Sequence, residues 1–308
     1  MKLFNWFRFL FFKPVNILVS RTLRPLAGVL PARLKIPVTG LFRVKAGGAE
    51  VKIFGYYTSY ITRQLFWCGA GGWESAMTLL WCRLVPHSRV VLDIGANFGW
   101  YSLLASKTAP ESRIYAFEPF IDARKALEEN VKANGSKNIT VVPFALGNEN
   151  IQTTLWYRIN PDFPDELQLA GDNTLSADHA ARSASADIKV WKLDDWMAEN
   201  QPGSVDLIKV DAEGFEWEVF KGAQKTLSNH RPVILAELSP GKTLQEVTRF
   251  FSEHNYLFYS IGDRIKPVER PADTQGMENY LLVPQEKYTE KEFGLLINQV
   301  QKADKRNS

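Results

Sequence analysis

Only two cysteines, Cys68 and Cys82, occur in 308 residues, with neither metal-ligand spacing nor the density of a disulfide framework. Two buried free thiols in a reducing compartment are the expected reading. Charge of one sign is also scarce. A formal net charge of +3 gives no electrostatic case for a nucleic-acid partner. Long apolar runs are missing too, because Arg8, Lys13, Arg21 and Arg24 interrupt the aromatic-rich start from Leu3 to Phe12. A bilayer-spanning helix of about 20 apolar residues is thereby excluded, and the absence of a small-residue cleavage site argues against a secretory signal. For residues 3–24 two readings stay open. Either they lie on an anionic membrane surface, with aromatics among the headgroups, or the aromatics pack on the domain that follows.

Histidine is limited to His87, His179, His230 and His254. His87 and His230 precede strands and His254 ends a helix, so each reads as structural. His179 falls in an irregular stretch and reads as a loop residue. No internal repeat is evident.

What is present begins with Val90-Val91-Leu92-Asp93-Ile94-Gly95-Ala96-Asn97-Phe98-Gly99-Trp100-Tyr101-Ser102. A short β-branched run fits a buried parallel strand, and Gly95 and Gly99 let backbone N–H groups approach a ligand where the next helix begins. The third glycine of a dinucleotide fingerprint is missing. An acid, Asp93, stands at the strand end instead, where it repels a pyrophosphate and suits a ligand carrying an ammonium or sulfonium, as S-adenosylmethionine does. The next strand, Arg113 to Phe117, runs into Glu118-Pro119, about two dozen residues after the glycine turn. At that distance a Rossmann-like fold bonds a ribose with an acidic residue. Asp93 and Glu118 are therefore expected to face one adenosine from adjacent strand tips.

The third motif is Leu207-Ile208-Lys209-Val210-Asp211-Ala212-Glu213-Gly214-Phe215-Glu216. Period-two alternation puts Leu207, Lys209 and Asp211 on one face and Ile208 and Val210 on the other. A lysine in an apolar strand needs a partner, and Asp211 is the nearest. Glu216 and Glu218 complement the dipole of the helix that follows.

These three motifs, at 93–102, 117–119 and 209–216, together resemble the FkbM-type methyltransferase family, and the similarity runs from about Trp73 to Pro284 through Ala236-Glu237-Leu238 and Asn279-Tyr280-Leu281-Leu282-Val283-Pro284. The resemblance implies a class I, S-adenosylmethionine-dependent methyltransferase. Its fold would be α/β, a Rossmann-like doubly wound, mostly parallel seven-stranded sheet with an antiparallel last strand, here with an N-terminal extension and a β-hairpin. The family's usual reaction is O-methylation of hydroxyls on glycans or natural products, so the partner implied is a hydroxyl-bearing small molecule or saccharide. The expected cofactor contacts are Glu74, Asp93, Gly95, Ala96, Asn97, Gly99, Tyr101, Ser102, Glu118, Pro119, Ala145, Leu146 and Asp211. A cytoplasmic setting follows, at the inner membrane surface if residues 3–24 bind lipid.

A hydroxyl acceptor must lose a proton, and Asp211, Glu213 and Glu237 stand at or just past probable strand ends. Glu213 is the expected base, with Asp211 positioning the ligands and Lys209 holding the charge of the cluster. A structural ion-pair network is the alternative. Asp211, Glu213 and Glu237 are all oxygen ligands in type, yet methyl transfer to a simple hydroxyl needs no magnesium, so no metal is expected. Two other function classes stay open: an NAD(P)-dependent oxidoreductase, disfavoured by the missing glycine, and a non-catalytic cofactor-binding protein.

Four segments are expected: 1–40, aromatic and basic; 41–85, a hairpin around Gly47-Gly48 and a helix over 73–84; 86–285, the methyltransferase domain; and 286–308, a helical tail. Strands are expected near 89–94, 113–118, 139–144, 205–211, 232–238, 256–261 and 278–283, with helices near 99–107, 122–134, 216–228 and 242–254. An extra strand is expected at 151–159, then a substrate lid without regular structure over 160–187.

Overall fold

The computed structural model describes residues 18, 21–31, 35–169, 184–262, 265–269, 271 and 278–287. Residues 3–17, residues 170–183 of the expected lid with His179, and the tail after 287 lie outside the described residues. Of the N-terminal segment, Leu23, Ala27 and Leu30 pack against the core, Arg24 sits over the Phe66 ring, and Leu18, Leu26 and Val29 face solvent.

The chain runs through strands β1 (Gly40–Ala46) and β2 (Ala49–Gly55) and helices α1 (Tyr60–Cys68) and α2 (Ser75–Leu84) into the alternating part. There follow β3 (Val90–Ile94), α3 (Trp100–Thr108), β4 (Arg113–Phe117), α4 (Ile121–Asn134), β5 (Ile139–Val142), β6 (Ala145–Leu146), β7 (Ile151–Tyr157) and β8 (Ala184–Trp191). The last third holds α5 (Leu193–Asn200), β9 (Leu207–Val210), α6 (Glu216–Lys221), α7 (Gln224–His230), β10 (Val233–Leu238), α8 (Lys242–Glu253), β11 (Tyr256–Ile261), β12 (Ile265–Pro267) and β13 (Glu278–Pro284).

The main sheet has the order β12-β11-β13-β10-β9-β3-β4-β5, parallel from β10 to β5, with β13 inserted antiparallel between β10 and β11. Seven of these strands are the ones the sequence indicates. The eighth, β12, is a three-residue edge strand that carries no readable period. The chain builds outward from β3 through β4 to β5 and then returns to lay β9 on the other side of β3. That reversal opens a crevice beyond the carboxyl ends of β3 and β9, where open α/β sheets hold ligands.

Side-chain alternation divides the interior between the two faces. Val91, Leu207 and Leu235 join the hairpin and α3 in one buried cluster, while Leu92, Ile208, Val210 and Ile234 join α5, α6 and α8 in the other. The hairpin is tied down through Asn130 of α4, which has no exposed surface, accepts from Phe54 N (2.8 Å) and donates to Phe98 O (2.9 Å).

Three expectations change. The helix expected over 216–228 is two helices, α6 ending with Gly222 as its C-cap and α7 starting at Gln224, and a Cβ on Gly222 would lie 1.9 Å from Gly147 O. Residues 184–187 belong to β8, which pairs antiparallel with β7 and parallel with β6 in a second sheet. Cys68 is exposed, and only Cys82 is a buried thiol, with burial pushing its pKa up to about 12.

Candidate active site

The glycine turn after β3 is shaped by one close approach. Gly95 has φ +76°, and a Cβ on it would lie 1.8 Å from Asp211 O, so only glycine lets β3 and β9 end side by side. Gly95 N and Ala96 N both donate to Phe117 O (3.0 Å each), and Asp211 N donates to Ile94 O (3.1 Å), which fixes three strand tips together. Gly99, at φ +92°, caps the start of α3 against Leu127 and touches no cavity.

Two adjoining cavities open on this turn. The smaller, with about 810 Å³ of empty space, is walled by Phe117, Glu118, Pro119, Phe120, Ala145 and Leu146, with Leu155 and Ile188 from the second sheet. Glu118 is its polar centre. Its Oε2 accepts from Asn97 N (2.8 Å) and its Oε1 from Phe120 N (2.9 Å). Each carboxylate oxygen thus keeps an acceptor position for a ligand. Burial raises the Glu118 pKa to about 7, against the lowering effect of those two N–H groups.

The larger cavity, with about 1430 Å³ of empty space, is lined by Glu74, Ala96, Tyr101, Lys209 and Glu237, and shares Gly95, Asn97, Asp211 and Glu213 with the smaller one. Lys209 is buried, donates to Asp211 Oδ2 (2.9 Å) and lies 4.8 Å from the centroid of the Tyr101 ring. Burial disfavours its charge, but Asp211, Asp93 and Glu74 outweigh burial and hold its pKa above the ordinary lysine value. Tyr101 donates its hydroxyl to Glu74 Oε2 (2.6 Å), and Asn279 Nδ2 reaches Glu74 Oε1 (3.2 Å). Glu74 itself stands in a left-handed conformation (φ +40°, ψ +50°) ahead of α2, with its side chain turned from the helix end toward these partners. Glu237 is raised to about 8 by burial and by the neighbouring Asp211 and Glu74 carboxylates.

Asp93 is placed differently from the expectation. It has no exposed surface and lines neither cavity, because Ser102 Oγ closes on its Oδ2 (2.5 Å) from α3. Among the described residues its Oδ1 has no hydrogen-bond partner, and burial raises its pKa. Asp93 and Ser102 thus form a layer behind the cavity wall. Glu213, at φ +51°, heads the turn that both cavities share.

Several residues have partners here that the sequence alone does not show. Glu216, 2% exposed, accepts from Ala212 N and Gly214 N (3.0 Å each) and so braces the Asp211–Gly214 turn. The sequence marks Glu216 only as an acid in the first turn of the following helix, not its bonds back to the preceding turn. Asn279 gave no signal, since its partner Glu74 lies 205 residues away. Tyr60, Trp73 and Arg158 line the larger cavity and were not singled out. Away from the site, His230 Nδ1 accepts from Val205 N, and the His254 ring packs on that of Phe250.

The family model described as the Methyltransferase FkbM domain matches residues 93–258. The chain belongs to the FkbM methyltransferase family. That match begins at Asp93 and includes Glu118, Asp211, Glu213 and Glu237, but not Glu74. Among curated relatives, the hexuronic acid methyltransferase AglP of Haloferax volcanii is 28% identical over 165 residues, covering 53% of this chain and 62% of its own. The 2-O-methyltransferase NoeI of Sinorhizobium fredii is 27% identical over 149 residues, covering 46% and 60%. The chain therefore spans about three fifths of the length of these relatives. A solved methyltransferase FkbM from Methylobacillus flagellatus KT overlaps 63% of this FkbM chain and 43% of its own, with a TM-score of 0.42 at 18% identity. Among the described residues no helix is long and apolar enough to cross a membrane, and no group of three or more His, Cys, Asp or Glu side chains is arranged to hold a metal ion.

Proposed function

We propose that this FkbM-family methyltransferase uses S-adenosylmethionine to methylate a hydroxyl of a saccharide or secondary metabolite. The observation that carries the reading is Glu118, a buried carboxylate fixed by one backbone N–H on each oxygen at the tip of β4, with acceptor positions left for a vicinal diol. Charge supports the same cofactor. The cavities are lined by five carboxylates, Glu74, Glu118, Asp211, Glu213 and Glu237, against two cations, Lys209 and Arg158, and Asp93 adds a negative group behind the wall. An anionic pyrophosphate is repelled there, and a ligand bearing sulfonium and ammonium is favoured.

When bound, S-adenosylmethionine supplies a methyl group on a cationic sulfur. The chain must hold donor and acceptor in line and exclude water. Phe117, Phe120, Leu146 and Leu155 give the smaller cavity an apolar wall for an adenine, and the Asp211–Gly214 turn, braced by Glu216, separates it from the larger cavity. Glu237 is our choice of base, in place of Glu213. A pKa of about 8 lies near the working range of a general base, and its hydrogen-bonded neighbour Asp211 is held by Lys209. Glu213 is then a residue of the turn, positioned between the two ligands. Free thiols at Cys68 and Cys82 fit a cytoplasmic setting.

Labelled methyl transfer, followed as release of the demethylated cofactor, separates these roles. Glu237→Gln is expected to lower kcat by about 10²–10⁴-fold, and Glu213→Gln to act mainly on KM. The reverse pattern would return the base to Glu213.

A further inference from the structure

Besides Gly95, Asn97, Asp211 and Glu213, one further described residue lines both cavities, Leu169. The first four belong to the turns after β3 and β9, at the tips of the main sheet. Leu169 comes instead from the segment that follows β7, and it is the one apolar side chain of the five. Residues 158–169 form neither helix nor strand, yet they are closely tied down. Gln168, 5% exposed, accepts from Asn160 N through Oε1 (2.8 Å) and donates through Nε2 to Phe163 O (3.0 Å) and Glu166 O (2.6 Å). Its backbone N donates to Asp122 Oδ2 (3.1 Å) in the first turn of α4. Thr58, ahead of α1, donates its hydroxyl to Leu167 O and accepts from Leu169 N (3.2 Å), while Phe163 stacks on Tyr57 with ring centroids 4.7 Å apart. A buried polar network with its members paired rigidifies the segment that carries it. Leu169, 2% exposed, is thereby held in one place where the two cavities adjoin.

We infer that Leu169 limits the alkyl group on the cofactor's sulfonium to a methyl. This rests on the functional reading above, with the cofactor in the smaller cavity and the acceptor in the larger. A methyl within about 3–3.5 Å of the acceptor oxygen has to stand where the cavities meet. The two turns bring backbone and polar groups to that place, and Leu169 brings the branched apolar side chain that excludes water and bounds the space for one carbon. An ethyl group adds one carbon toward Leu169 and an allyl group two. The segment gives way only by breaking its bonds to Thr58 and Asp122 or those of Gln168.

Calorimetry on the full chain tests this without an acceptor. The probes are S-adenosylhomocysteine, S-adenosylmethionine, S-adenosylethionine and the S-allyl analogue. Each affinity is taken relative to that for S-adenosylhomocysteine in the same variant, so that general damage to the site cancels. In the wild type the relative affinity should fall about tenfold or more from methyl to ethyl, and further to allyl. Leu169→Ala should remove most of that gap and Leu169→Ile should keep it. Leu169→Phe should weaken S-adenosylmethionine while sparing S-adenosylhomocysteine, and Gln168→Ala should relax the discrimination part of the way. A wild type that binds the methyl, ethyl and allyl compounds alike, or a gap that survives in Leu169→Ala, would overturn the inference and leave the cofactor reading intact. Failure of the wild type to bind S-adenosylhomocysteine would overturn both.

Discussion

A carboxylate enclosed by protein loses the water that stabilises its charge, and Asp93, Glu118 and Glu237 all titrate above their ordinary range for that reason first. Such groups are costly unless a cation arrives. For Glu118, at about 7, and Glu237, at about 8, the protonated form is substantially populated near neutrality in the free protein. A cationic ligand favours the ionised form, so its binding must release protons. Affinity for S-adenosylmethionine is therefore expected to rise from pH 6 to pH 8 and to level off once both groups are ionised without the ligand. Calorimetry in two buffers of different ionisation enthalpy reads the released protons directly. A pH-independent affinity with no proton release would show that these carboxylates do not face the bound cation. Each residue's role was readable in the sequence only as far as its strand position allowed. Glu118 follows a strand at the right distance from the glycine turn and lines the cavity. Asp93 has an equally good position, yet Ser102, one helical turn into α3, covers it.

At the scale of the element, Asn130 joins three pieces: the second hairpin strand through Phe54 N, the glycine turn's Phe98 O, and its own helix α4. Replacing it with alanine leaves a buried donor and a buried acceptor unpaired. Asn130→Ala is expected to lower stability by about 2–4 kcal/mol in urea denaturation; wild-type stability in that variant would show that apolar packing and the bonds of Asn134 to Lys52 dock the hairpin without Asn130. The elements that sequence reading recovered are those with an undivided physical cause. Strands β3, β9 and β10 are short apolar runs because they are covered on both faces, and the hairpin turns at Gly47-Gly48 because both residues have positive φ. Strand β8 was missed because its first half, Ala184 to Asp187, is polar and half-exposed and acquires its conformation by pairing with β7. The need for glycine at 222 was hidden for a related reason, since the carbonyl that leaves no room for a side chain belongs to Gly147, far away in sequence.

At the scale of the molecule, the sheet order matters more than any single motif. Returning β9 beside β3 places Lys209 opposite Asp93 and puts the Asp211 turn against the Gly95 turn, so two motifs more than a hundred residues apart share one crevice. Inserting β13 beside β10 brings Asn279 to Glu74, which lines the larger cavity. The first of these follows from the βαβ alternation visible in the sequence. The second depends on a long-range antiparallel register that no local pattern encodes. Family membership and this topology together make the cofactor the central claim. Calorimetric titration of the wild type and Glu118→Ala with S-adenosylmethionine tests it most directly. One site is expected in the wild type and, in a variant shown by its melting curve to be folded, affinity weakened by roughly 100-fold through loss of charge-assisted bonds to the ribose. No binding by the wild type, or equal binding by the variant, would contradict it.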